Sequence, residues 1–91
     1  MATIAEWVKI DESRVAESLA AAREKLGSVD GELVLDFAAV RRIDKAAVDA
    51  LEKLCPLAEQ KKVGLILRSV NVDVYKVLKL ARMDTRFTFV A

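Results

Sequence analysis

The stretch Glu32–Lys53, ELVLDFAAVRRIDKAAVDALEK, reads as a buried strand, a short loop and a capped helix in immediate succession. Leu33, Val34, Leu35 and Phe37 form an apolar run of strand length broken only by Asp36. A run of that kind suits a strand covered on both sides by neighbours. Asp44 stands where a helix N-cap would stand, ahead of an apolar face at Ala47, Val48, Leu51 and Leu54. An aspartate there can accept a hydrogen bond from one of the free N–H groups of the first turn. Between strand and helix, Val40 and Ile43 are spaced to tuck inward while Arg41 and Arg42 point out. Nothing in this unit is reactive. By itself it predicts a small α/β domain.

The flanking sequence extends the same alternation. On the N-terminal side, Ile4–Ile10 alternates imperfectly, with Glu6 and Lys9 among Ile4, Trp7, Val8 and Ile10, as expected of an edge strand with one wet face. Asp11 and Ser13 are both suitable N-caps for a first helix whose inward face is Val15, Leu19, Ala22 and Leu26. Gly27 is expected to end it in the left-handed conformation, and Ser28-Val29-Asp30-Gly31 to make the turn into the central strand. On the C-terminal side the second helix should run from about Lys45 to Lys61, kinked where Pro56 removes a backbone donor. Val63–Arg68, VGLILR, reads as a second buried strand. Asn71 caps a third helix that turns Val74, Val77, Leu78 and Ala81 to the sheet and Lys76, Lys79 and Arg82 to water. Arg86–Val90, RFTFV, closes the sheet with Phe87 and Phe89. Strands alternating with helices of this length predict right-handed crossovers, hence a mostly parallel sheet of about four strands packed with about three helices.

Ninety-one residues are enough for one core, so a single domain over residues 1–91 is expected. Fifteen Lys and Arg against fourteen Asp and Glu leave a formal charge of +1, without the electrostatic footprint of a nucleic-acid binder. No apolar run approaches the ~20 residues of a membrane span, so direct membrane insertion is not expected. The start, MATIAEWVKIDE, lacks the basic and apolar regions of a secretory signal, which makes the expected location cytoplasmic.

Candidates for chemistry are few. The chain has no histidine, which removes the usual general base and the commonest metal ligand. Asp36 and Asp44 flank the loop, but one lies in a strand and the other is explained by capping. Cys55 cannot form an internal disulfide, and beside Leu51 and Leu54 it reads as a buried structural thiol. Gly27, Gly31 and Gly64 are scattered at element ends and form no phosphate-cradling loop. No enzymatic activity, metal or cofactor is therefore expected. Two basic groups remain. Arg41, Arg42 and Lys45 converge at the start of the second helix, where an anion or an acidic partner could bind; the plainer reading is a solvated loop. Lys76, Lys79, Arg82 and Arg86 form a stripe that could serve a small RNA- or anion-binding module, although net charge and the scarcity of aromatics argue against nucleic acid.

The pattern L-V-L-D-F-x-x-V-x-x-I-D followed by a small-residue helix start resembles the STAS domain of bacterial anti-sigma-factor antagonists. The likeness continues through A-A-V-D-A-L-E-K-L, G-L-I-L-R and V-L-K-L-A-R-M-D-T-R-F, and so covers roughly Asp11 to Val90. It implies a regulatory module that works by binding rather than catalysis. In the family the loop usually reads Asp-Ser-Ser-Gly and its serine is phosphorylated; here Asp44-Lys45-Ala46-Ala47 stands instead. The resemblance implies a partner surface formed by Arg42, Asp44, Lys45, Ala46, Asp49 and Lys53, facing an anti-sigma factor or kinase-like ATPase. Without the serine the family's phosphorylation switch is not expected. The alternative is a soluble STAS subunit bound to the ATPase of a lipid-transporting ABC complex. At the end of the third helix Arg82-Met83 takes the place of a Gly-Leu pair common in the family.

Overall fold

A computed structural model describes residues 4–29 and 31–90, without the side chains of Ile4 and Ala5. The turn role expected of Asp30 lies outside the described residues. In chain order the elements are β1 (Ile4–Lys9), α1 (Val15–Lys25), β2 (Gly31–Asp36), α2 (Lys45–Lys61), β3 (Gly64–Arg68), α3 (Val72–Leu80) and β4 (Thr88–Val90). The four strands pair in parallel in the order β1-β2-β3-β4. Three helices and four strands make the α/β domain that the alternation predicted.

Sequential parallel strands joined by right-handed crossovers must carry their helices on one face of the sheet. Burial obeys that rule. Leu33, Leu35, Leu65 and Leu67 point to the helices and join Leu19, Leu51, Leu54 and Leu78 in one core, with Phe89 half-buried against it. On the other face Trp7, Val34, Ile66 and Thr88 lie in register across the sheet. Val34 is buried there yet stands outside the core cluster. Trp7 is 53% exposed, and the Arg68 guanidinium sits 5.2 Å from its ring centre. At that distance the contact is a cation–π interaction. Arg68 also approaches Asp36 at 3.7 Å.

Three local expectations are corrected. Neither Asp11 nor Ser13 caps α1; Arg14 occupies the N-cap, with no side-chain cap. Asp11 instead accepts from the N–H and Oγ of Ser13 at 3.0 and 2.9 Å, a closed local turn that uses both candidates before the helix begins. The Ser13 N–H, helped by the hydroxyl, holds the Asp11 carboxyl below its ordinary value. Gly27 does not take the left-handed conformation, because α1 tightens through Leu26 N–H bonds to Ala22 O and Arg23 O, and Ser28 closes on Lys25 O through both N–H and Oγ. The glycine that needs its freedom is Gly31, at φ 121°, which opens β2 one residue earlier than expected.

Asp44 and Asn71 cap their helices as expected, accepting from Ala47 N–H at 2.9 Å and Val74 N–H at 2.8 Å. Helix α2 runs on through Pro56 to Lys61. The C-terminal ends of α2 and α3 take the left-handed conformation without glycine, at α3 with Arg82 in the position where the family commonly has one. Lys62 and Arg82 lie in the left-handed region, at φ 57° and 60°. Around them Val63 N–H bonds Ala58 O, and Met83 N–H bonds Leu78 O, each spanning five residues. Both are Schellman endings, with the residue after the left-handed position, Val63 or Met83, packed into the core.

Candidate functional site

The loop between β2 and α2 is short, exposed and tied down at both ends. Phe37 N–H bonds Arg68 O at 2.9 Å and Val40 N–H bonds Phe37 O at 2.9 Å, so the chain turns back directly after the strand. Asp36 Oδ1 accepts from Ala38 N–H at 3.0 Å. Buried Phe37 and Val40 then anchor the turn in the core. The decisive tie comes from Asn71, whose Nδ2 donates to Val40 O at 3.2 Å and Arg41 O at 3.0 Å while its Oδ1 caps α3. One amide group therefore fixes loop and helix together.

With the loop held, Arg41, Arg42, Asp44, Lys45 and Ala46 are all exposed. Along α2, Ala46, Asp49 and Lys53 recur at steps of three and four, which brings them to one outward stripe, and all three are exposed. They line a hollow of about 360 Å³ between α2 and α1, whose other wall is Leu19, Ala20 and Arg23. Arg42 and Asp44 line a second hollow of about 510 Å³ with residues 12–17 of the first helix and its approach. Lys45 is exposed and lines neither. Five of the six candidates thus line one or the other of two hollows, each walled on its far side by α1 or its approach. Sequence reasoning missed the contribution of α1, for which Ala20 and Arg23 give no signal on their own.

The first turn of α2 carries no acidic residue and does carry Lys45, although a helix N-terminus favours negative charge. Asp36 and Asp44 are each engaged, the one by Arg68 and Ala38 N–H, the other by Ala47 N–H. Cys55 is buried and its Sγ donates to Leu51 O at 3.4 Å. Burial pushes its thiol above the ordinary value, against the pull of the nearby Arg86. Among the described residues no group of three or more His, Cys, Asp or Glu side chains could hold a metal ion, and no helix is long and apolar enough to cross a membrane.

Comparison with known proteins agrees with this architecture. A family model described as the STAS domain matches residues 2–91. The crystal structure of a candidate anti-sigma factor antagonist from Thermotoga maritima superposes with a TM-score of 0.68 at 17% sequence identity, covering 96% of this chain and 73% of that one. At that identity the likeness is one of fold. Among curated proteins none matches.

Proposed function

This chain belongs to the STAS domain family, and on that footing we propose that it is a non-enzymatic regulatory interaction module of the bacterial cytoplasm, similar in action to an anti-sigma-factor antagonist. It docks a protein partner through the loop and first turns of α2, with Arg42, Asp44, Lys45, Ala46, Asp49 and Lys53 in contact. The observation that carries this reading is the clamp on the loop: Asn71 holds Val40 and Arg41 while Asp44 caps the helix, so an exposed surface is held in one shape before any partner arrives. A surface ordered in advance loses less conformational entropy on binding.

The partner is an anti-sigma factor or kinase-like ATPase, and docking here runs without a phosphorylation switch at this position. Lys45 and Ala46 carry no hydroxyl. A phosphate would add close to two negative charges to the contact; lysine fixes the opposite sign permanently. Lys45 is also unfavourable to the free helix by about 0.3–1 kcal/mol, a cost that an acidic group on a partner would offset.

The test compares the wild-type chain with Lys45→Glu, each immobilised and exposed to bacterial lysate, with retained proteins identified by mass spectrometry. A protein held by wild type should be lost by the variant, while the melting temperature of the variant is unchanged or slightly raised. Equal retention would remove Lys45 from the contact and the proposal with it.

A further inference from the structure

A near-neutral total hides a segregated charge. Residues 61–91 hold seven cations against two acids, and residues 1–60 hold eight cations against twelve acids. Because the strands lie in the sheet in chain order, this division in sequence is also a division in space. The end built from β3, α3 and β4 is the basic one. Around α3, Lys76, Lys79, Arg82 and Arg86 are all exposed. Among the described residues none of them is ion-paired; the two pairs formed are Arg14–Glu17 and Arg68–Asp36.

The outward side of α3 is also apolar where a solvated face would be polar. Val72 is 67% exposed and Leu80 86%. Together with Lys76 they sit at successive turns of one stripe, four residues apart. Beside that stripe the first turn of α3 and the edge strand β4 flank a shallow, open hollow of about 270 Å³ lined by Val70, Asn71, Val72, Tyr75, Phe89 and Val90. Its wall is firm, since Tyr75 packs edge-on to Phe89 with ring centres 5.2 Å apart. Val72 and Tyr75 lie one helical turn from Lys76 and Lys79 respectively, so unpaired ammonium groups stand next to an apolar depression.

We propose that this α3–β4 face is a second docking surface, separate from the loop and α2, and that it takes an acidic protein segment carrying one aromatic or branched apolar anchor. The anchor fills the hollow and the flanking carboxylates meet Lys76 and Lys79. A flat anionic bilayer would satisfy the cations but leave the concavity unfilled, which is why a protein segment is the better occupant. Charge complementarity supplies orientation and encounter rate, and the buried anchor supplies retention.

The experiment uses the full chain and a fluorescent acetylated peptide of glutamates and aspartates around a central phenylalanine, with binding read by anisotropy. Saturable binding should weaken about tenfold or more, equivalent to about 1.4 kcal/mol, when the phenylalanine becomes serine, and again in the double variant Lys76→Glu, Lys79→Glu. It should change less than about twofold in Lys45→Glu, which separates this surface from the one at α2. Circular dichroism confirms that each variant is folded. Absent binding, equal binding of the serine peptide, or loss of binding in Lys45→Glu would overturn the proposal. So would sedimentation with phosphatidylglycerol vesicles in the absence of saturable peptide binding, which would assign the cations to a membrane.

Discussion

Replacing Asn71 with alanine removes three hydrogen bonds from one place, and the structure lets their shares be separated. The Oδ1 bond to Val74 N–H caps α3, and losing such a cap costs about 0.5–2 kcal/mol. The Nδ2 bonds to Val40 O and Arg41 O contribute about 0.5–1.5 kcal/mol each. Asn71→Ala should therefore destabilise by about 2–4 kcal/mol, allowing for water that reaches the exposed Arg41 carbonyl. For a domain of this size each kcal/mol moves Tm by about 4–8 °C, so the shift is large. Asn71→Asp isolates the clamp: it keeps an acceptor at the cap, and a negative charge at a helix N-terminus is favourable, but it sets an oxygen against two carbonyl oxygens. That variant should lose the loop while retaining α3. Urea unfolding monitored by circular dichroism gives the stabilities, and amide hydrogen exchange over residues 40–48 and 72–78 reports the two elements separately. An Asn71→Ala cost below about 1 kcal/mol, or unchanged loop protection in Asn71→Asp, would refute the clamp.

Other consequences are open to the same measurements. Leu51 is fully buried at the centre of α2, so Leu51→Ala should cost about 2–5 kcal/mol in urea unfolding. Lys62→Gly and Arg82→Gly should each stabilise by about 0.5–1 kcal/mol, because a non-glycine residue in the left-handed region is strained and neither side chain is ion-paired among the described residues; a loss of stability would show that the long side chains support the Schellman endings. Cys55 should react slowly with a thiol-specific disulfide dye at neutral pH and rapidly in urea, since burial both shields the sulfur and keeps it protonated.

Helix α2 was legible because two signals coincide: Asp44 stands one residue ahead of the first helical position, and Ala47, Leu51, Leu54 and Ala58 repeat at helical steps into the core. Strand β2 was legible for the simpler reason that its apolar run is too short for a helix and too continuous for a surface strand. The start of α1 was not, because Asp11 and Ser13 can cap a helix or bond each other, and sequence does not rank the two outcomes. The end of α2 at Lys61 and the Arg82-Met83 position after α3 were legible, but the left-handed conformation of Lys62 and Arg82 was not, because glycine is its usual sign; here a pair of fixed backbone bonds and a buried Val63 or Met83 hold it. The candidate surface was half legible. Its α2 residues can be placed by helical spacing, but that Ala20 and Arg23 of α1 wall the same hollow is a fact of tertiary packing, with no local pattern behind it.

Asn71 joins two segments that lie some thirty residues apart in the sequence, the loop before α2 and the first turn of α3. As a cap it needs only to precede α3, and that much is visible in the local sequence. Its amide nitrogen, however, reaches the loop before α2, which leaves the neighbouring parallel strand β2 at the same end of the sheet, so the order of the loop depends on where the first turn of α3 sits. The same first turn supplies Val72 and lines the hollow beside β4. Any change that moves this turn alters the geometry of both Val40–Arg41 and the α3–β4 depression through a single side chain. Rigidity at the loop is thus supplied from a distant segment, which leaves the loop itself free to carry residues, such as Lys45, that local helix stability would not select.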